Sequence, residues 1–281
     1  MKTPLNKAIA LVCKQLKVRK NDIVKVQYQP QGWSNNIFLV VLKNGARYIV
    51  RIAGKSTLKN RQIEMKVLDV LTKVNFFKIT YLNKNNGDYI YPYIEGCNIS
   101  FKDVKDFKFL KLLAKKLKDL HSIKLDKNLS LEENDYYQYD QYSKNIDQKY
   151  TLLYHQLLKK YKDLKKCLCH NDLTQWNMIY NKSKQTLSFI DFEWSRINTP
   201  YFDLTNFIRE ANIHNTKYEK YLVSQYNKKF NLSTITDFLY ISSYFSYLWT
   251  YSTKSFQHIL HYRNKMLRLL KKFYGEINKK D

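Results

Sequence analysis

The sequence predicts an α+β chain in two lobes, a small antiparallel β-sheet with one main helix followed by a mostly helical remainder. Three observations predict this. The first third carries short β-rich runs separated by turn residues. After Glu95-Gly96 the texture becomes helical. Within that helical part, few runs read as strands. At 281 residues and 44% hydrophobic the chain can bury a sizeable core, and with no internal repeat or proline-rich linker the boundary is read from the change of periodicity. It divides the chain into 1–94 and 95–281.

In order, Ile23 to Tyr28 is a β-rich run, Gln31-Gly32-Trp33-Ser34-Asn35 a turn, and Asn36 to Lys43 a second apolar run. Asn44-Gly45 closes a hairpin, because both residues tolerate the positive φ of a type I′ turn. Ala46 to Ile52 is the third strand. Ile63, Val67, Val70 and Leu71 then recur at helical spacing, with Ser56 or Thr57 available as cap. Phe76 to Leu82 and Tyr89 to Tyr93 flank a turn before Gly87 and form a further antiparallel pair. The lobe therefore reads β, β, β, α, β, β. Helices follow at Phe109 to Ser122, Tyr150 to Lys162, Asp203 to Asn212 and Thr216 to Lys228, with two terminal helices from about Thr234 and Lys254. Met178 to Tyr180 and Leu187 to Ile190 look like strands. Asp126 to Gln148, polar and tyrosine-rich, reads as a surface insertion.

The formal charge of +25 invites a nucleic-acid reading. The lysines are dispersed beside Asn, Ile and Tyr, so no specific nucleic-acid partner follows. No apolar run approaches the roughly 20 residues that span a bilayer, and Met1 to Gln15 lacks the apolar centre and cleavage site of a signal peptide. No membrane insertion and a cytoplasmic location are the expectation. The four cysteines read as free thiols. Cys167-Leu168-Cys169-His170 has no second ligand pair at finger-like spacing and reads as a buried strand leading into a loop.

The chemistry is concentrated in Cys169-His170-Asn171-Asp172-Leu173-Thr174-Gln175-Trp176-Asn177 and in Leu187-Ser188-Phe189-Ile190-Asp191-Phe192-Glu193-Trp194. An acid five residues before an asparagine, followed by an aspartate ending a hydrophobic strand, is the layout of phosphoryl transfer. Asp172 would accept or orient the proton of an attacking hydroxyl. Asn177 and Asp191 offer hard oxygen ligands suited to Mg²⁺. Each half alone is an ordinary turn or cap; both in order, joined by a short hairpin, are not. His170 is expected to brace the loop.

His170-Asn171-Asp172 through Asn177, then Ile190-Asp191-Phe192-Glu193-Trp194-Ser195, resembles the choline and ethanolamine kinases of the aminoglycoside phosphotransferase superfamily, with their H-N-D-x-x-x-x-N and I-D-F-E-Y-S patterns. Trp194 replaces the tyrosine, and Trp176 stands where glycine is usual. The resemblance implies a two-lobed protein kinase-like fold, with 1–94 the ATP-binding lobe and 95–281 the catalytic and substrate-binding lobe. Gln31 to Asn36 is similar to that family's phosphate loop with one glycine missing, so Gly32, Ser34 and Asn35 would face the β- and γ-phosphates. Arg51 would bind ATP phosphates and Glu64 would hold Arg51. Main-chain groups near Tyr91 and Tyr93 would meet the adenine edge. ATP and Mg²⁺ are the implied cofactors. His121, in Leu120-His121-Ser122, is expected to be structural, and Asp203 to support the catalytic loop.

Pro200 to Glu210 resembles the choline kinase segment F-D-x-x-N-x-x-x-E, whose final glutamate lines the choline pocket. A quaternary ammonium has no proton to donate, so aromatic faces and a carboxylate must recognise it, at roughly 0.5–2 kcal/mol per cation–π contact. Glu193, Trp194, Glu210, Trp249 and Tyr251 are the candidates for a small-molecule, cationic acceptor. Only the second of the family's two late tryptophans is present, Ser246 standing for the first. The expected activity is ATP:choline phosphotransfer. Ethanolamine, thiamine or an aminoglycoside would use the same ATP machinery, and a basic nucleic-acid-binding module is the non-enzyme alternative. A protein kinase is disfavoured, since neither G-x-G-x-x-G nor A-P-E occurs.

Overall fold

The computed structural model describes residues 3–30, 35–54, 58–126, 131–253 and 257–279. In chain order the first elements are α1 (Pro4–Leu16), β1 (Ile23–Gln29), β2 (Asn35–Leu42), β3 (Arg47–Ala53), α2 (Leu58–Lys73), β4 (Tyr81–Leu82), β5 (Tyr89–Pro92), β6 (Cys97–Asn98) and α3 (Phe107–His121). Then come α4 (Gln148–Lys160), β7 (Cys167–Cys169), β8 (Met178–Asn181), β9 (Thr186–Phe189), β10 (Arg196–Asn198), α5 (Pro200–Glu210), α6 (Lys217–Tyr226), α7 (Leu232–Ser252) and α8 (Gln257–Asn278). They form two compact units. One comprises Met1–Asn98, Ile123–Glu132 and Asn177–Ser195; the other comprises Ile99–Ser122, Glu133–Trp176 and Arg196–Asp281.

In the first unit an antiparallel sheet runs β1-β2-β3-β5-β4. Period-two alternation along β2 sends Phe38, Val40 and Leu42 to one face. There they join Val50, Ile52 and Ile90, together with Ala8 and Val12 of α1. α1 lies outside the elements expected from the sequence, yet its start is locally encoded: the Thr3 hydroxyl accepts from the Asn6 N–H, and Pro4 opens the first turn. The hairpin at Asn44-Gly45 forms, but the turn is not type I′. Only Gly45 has positive φ (82°), and the Gly45 N–H donates to Leu42 O at 2.9 Å. This is a tight turn finished by a left-handed glycine, which needs φ > 0 at one residue instead of two.

Phe76 to Leu82 contributes only Tyr81–Leu82 to the sheet. Its first part is the end of α2, with Asn75 at φ 57° and the N–H groups of Asn75 and Phe76 closing on Thr72 O and Leu71 O at 3.1 and 2.8 Å. That is a Schellman cap, whose trailing hydrophobe packs instead of pairing. Phe76 accordingly lies against Phe189, and Phe77 against Tyr91 and Phe192. A second small sheet, β6-β8-β9, carries the β8–β9 hairpin.

The second unit is helical apart from the β7–β10 pair, in which Arg196 sits opposite Cys169. α7 buries residues around its whole circumference, from Ile235 to Thr250, as expected of a central helix. It packs against α8, α5 and α4. The expected surface insertion is only partly that: Tyr136 donates to Asn198 Oδ1 at 2.6 Å, and its carbonyl accepts from the Tyr154 hydroxyl at 2.8 Å. With Tyr139 it packs on Phe245. The tyrosines that made the segment look polar anchor it, because a phenol buries its ring while a partner satisfies its hydroxyl.

Candidate active site

In the first unit, Ile190 N–H donates to Asn177 O at 3.0 Å, one step beyond the Met178–Phe189 pair. This brings Asn177 and Asp191 to the same end of the β8–β9 hairpin. Asp191 has φ 63°, a left-handed conformation that aspartate tolerates better than most side chains. Arg51 leaves β3 almost wholly buried, at 3% exposure, and meets Glu64 Oε1 at 2.6 Å and Glu193 Oε2 at 3.8 Å. Its guanidinium also lies over the Tyr89 ring at 4.9 Å. Burial works against that charge, but Tyr89, Glu64 and Asp191 outweigh it and hold Arg51 protonated. Glu64 is pushed up to about 7 by burial, with Arg51 opposing and Asp191 and Glu193 reinforcing the rise. Three carboxylates thus surround one guanidinium.

In the second unit, Asp203 on α5, fully buried, organises the loop after β7. Its Oδ2 accepts the His170 N–H at 2.8 Å and its Oδ1 the Asn171 N–H at 2.7 Å. Asn171 has φ 64°. Asn206 and Asn198 hold it there, one through its carbonyl at 2.8 Å and the other through its side-chain oxygen at 2.9 Å. His170 Nδ1 accepts the Asp172 N–H at 3.3 Å, the bracing role expected of it. The loop therefore presents the half-buried Asp172 from a fixed backbone. His121 binds Asp203 through Nε2 at 2.9 Å and the Tyr226 hydroxyl through Nδ1 at 2.8 Å. Trp176, unusual in sequence, is 66% exposed.

Further along the same unit, Glu210 Oε2 accepts from Lys265 Nζ at 2.8 Å and Oε1 from the Tyr262 hydroxyl at 3.0 Å, with Arg209 Nη2 at 3.1 Å. Burial alone would raise Glu210, but Arg209 and Lys265 bring it below the usual carboxylate value. Tyr262 is raised by burial, then by Glu210, and also by Asp172, so this group lies within the field of the loop aspartate. Trp249 meets the Tyr262 ring edge-on, centroids 6.2 Å apart.

The candidate residues therefore separate. Tyr251, two residues from Trp249, belongs to another aromatic group: Arg263 lies 3.8 Å over its ring, and its hydroxyl bonds Tyr247 at 2.9 Å. Glu193, expected at the acceptor, pairs with Arg51, and Trp194 is half-buried. Asn35 Oδ1 accepts the Gly54 N–H at 3.2 Å across the β2–β3 end. Gly32 and Ser34 lie outside the described residues. Tyr91 is buried in β5, and the Tyr93 N–H continues the sheet to Arg47 O at 2.9 Å, so that amide is already used. Tyr262 and Lys265 carry no motif in the sequence, where their segment reads only as a terminal helix.

Residues 26–274 match the choline/ethanolamine kinase family. The chain belongs to that family. An uncharacterized protein of Mycoplasma pneumoniae is 29% identical to this kinase over 273 residues, covering 95% of this chain and 92% of that protein. A probable ethanolamine kinase A of Dictyostelium discoideum is 26% identical over 247 residues, 78% of this chain and 68% of its own. Among solved structures, a Plasmodium vivax ethanolamine kinase superposes with a TM-score of 0.78 at 22% identity, covering 95% of this chain and 89% of that one. The fold is thus the expected α+β, two-lobed, kinase-like one, and the protein is a small-molecule kinase of a nucleotide-using family. Among the described residues no helix is long and apolar enough to cross a membrane.

Proposed function

We propose that this kinase transfers the γ-phosphoryl group of ATP to the hydroxyl of choline, giving phosphocholine and ADP. The hydroxyl oxygen attacks phosphorus, the bond to the bridging oxygen of ADP breaks, and the hydroxyl proton passes to a carboxylate oxygen of Asp172. Asp203, through the His170 and Asn171 amides, keeps that carboxylate where the loop presents it. Arg51 binds the ATP phosphates, oriented by Glu64, with Gly32, Ser34 and Asn35 on the phosphate side and Tyr91 and Tyr93 toward adenine. In the same reading 1–94 is the ATP lobe and 95–281 the catalytic and acceptor lobe.

Asn177 and Asp191 would hold Mg²⁺. Two facts fit: their donors are hard oxygens, and Asp191 stands with Glu64 and Glu193 around the single guanidinium of Arg51, adding with Glu193 to the burial that raises Glu64 to about 7. Bound there, Mg²⁺ supplies charge neutralisation for the transferring phosphoryl group.

The observation that carries the acceptor assignment is the buried Glu210, hydrogen-bonded to Tyr262, whose ring meets Trp249 and whose hydroxyl also feels the charge of Asp172. A carboxylate against aromatic rings, near the base, is what a small cationic alcohol needs. Ethanolamine is the second reading, favoured by one contact: Lys265 already bonds Glu210 as a primary ammonium at 2.8 Å, whereas a trimethylammonium donates no hydrogen bond. Steady-state kinetics with Mg–ATP and choline, ethanolamine, thiamine or an aminoglycoside test the assignment. The highest kcat/KM is expected for choline; a preference for ethanolamine selects the second reading, and a preference for either of the others removes Glu210 from the acceptor site.

A further inference from the structure

Three side chains of the helical unit that phosphoryl transfer leaves unused converge beneath the catalytic loop: Cys167 and Cys169 of β7, and His121 at the end of α3. One donor atom from each lies within 4.8 Å of the others, and the two sulfurs are 3.6 Å apart. Residues i and i+2 of a strand share a face, which is how adjacent cysteines come to present both sulfurs together. In a tetrahedral site with metal–sulfur bonds of about 2.3 Å and metal–nitrogen bonds of about 2.1 Å, donor atoms sit about 3.5–3.8 Å apart. The sulfurs already meet that spacing, and the imidazole needs to close by roughly 1 Å from its limit of 4.8 Å.

The second observation is what stands behind the imidazole. His121 Nε2 faces the buried Asp203 carboxylate at 2.9 Å. A carboxylate on one ring nitrogen is the common support of a metal-bound histidine, because it fixes the tautomer that leaves the other nitrogen as donor. That other nitrogen, Nδ1, currently meets the Tyr226 hydroxyl, a contact a cation would replace. Cys169 is buried, and His121 and Cys167 are half-buried, which gives the cation an approach.

We propose that Cys167 Sγ, Cys169 Sγ and His121 Nδ1 form a site for a thiophilic divalent cation of the Zn²⁺ type, with water or the Tyr226 hydroxyl in the fourth position. Loading releases the two thiol protons to solvent. Since Asp203 is shared between His121 and the His170 and Asn171 amides, the bound cation ties directly into the loop that carries Asp172.

The test uses the full-length protein, stripped of metal and titrated with Co²⁺ as a spectroscopic stand-in and with Zn²⁺. One ion per chain, with thiolate-to-cobalt charge-transfer absorption that Zn²⁺ displaces, is expected. The absorption disappears in Cys167→Ser and persists in Cys97→Ser, where the thiol is exposed and remote in sequence. Zn²⁺ also shields Cys167 from alkylation in the wild-type chain, a readout that needs no variant. Cobalt bands absent, or surviving Cys167→Ser, or alkylation of Cys167 unaffected by Zn²⁺, overturn the site.

Discussion

Arg51 and Glu210 are both buried charges in networks, but the networks are unbalanced differently. Around Arg51, the carboxyl groups of Glu64, Asp191 and Glu193 outnumber the guanidinium, and burial, reinforced by Asp191 and Glu193 against Arg51, raises Glu64 to about 7. Around Glu210, Arg209 and Lys265 offset Glu210 and the nearby Asp172, and Glu210 is lowered instead. A cluster short of positive charge is completed by adding a cation. A balanced one has to exchange a cation. In the proposed reading the first property suits a metal–nucleotide complex, and the second means that a substrate ammonium bound at Glu210 would compete with Lys265.

The comparison can be broken at several points. Asp172→Ala should lower kcat by about 10²–10⁴-fold with ATP binding nearly intact; appreciable residual turnover with pure enzyme would remove Asp172 as base. Arg51→Met strands the buried carboxylates without their guanidinium and should cost about 3–5 kcal/mol in urea denaturation. If the variant is as stable as the parent, the cluster is less closed than its burial indicates. Trp249→Ala should raise the acceptor KM by about 2- to 30-fold, the equivalent of one cation–π contact, and leave the ATP KM alone. Equal effects on both substrates would detach Trp249 from the acceptor.

Lys265→Met sharpens the contrast most directly. Freeing Glu210 should lower the acceptor KM by up to about fivefold, the range of a partly exposed ion pair. A rise would make Lys265 part of the pocket wall and not a competitor. The smallest effect concerns His214, between Glu219 at 3.0 Å and Glu276 at 2.8 Å. Burial pulls its pKa down, but the two glutamates outweigh burial and leave it above the ordinary 6.5. Its contribution to stability is therefore complete below the unfolded value of 6.5 and lost as pH rises through the higher folded value. The urea midpoint should fall between pH 6 and pH 8, and Glu276→Gln should flatten that fall.

Much of this architecture was legible where the signal is local. β2 and β3 declare themselves by alternation and a glycine turn, and the family by the motif around Asp172, Asn177 and Asp191 along one stretch of chain. Other features misled because one pattern serves two purposes. Phe76 and Phe77 look like strand residues because hydrophobes that trail a helix cap are as apolar as those in a sheet. Tyr136 and Tyr139 look like surface because tyrosine is polar until its hydroxyl finds a partner. α1 is easily missed, although Thr3 and Pro4 carry an ordinary helix start.

By itself, the sequence determined the family motif, since Asp172, Asn177 and Asp191 lie in one short stretch of chain whose spacing needs no tertiary structure to read. Partners of the buried charges were decided only in three dimensions. Glu193 joins Arg51 from far along the chain, a pairing that no periodicity encodes, Lys265 and Tyr262 reach Glu210 from the last helix, and His121 meets two cysteines over forty residues away. Local backbone preferences act over a few residues, whereas the pairing of a buried charge is selected by whichever elements pack around it.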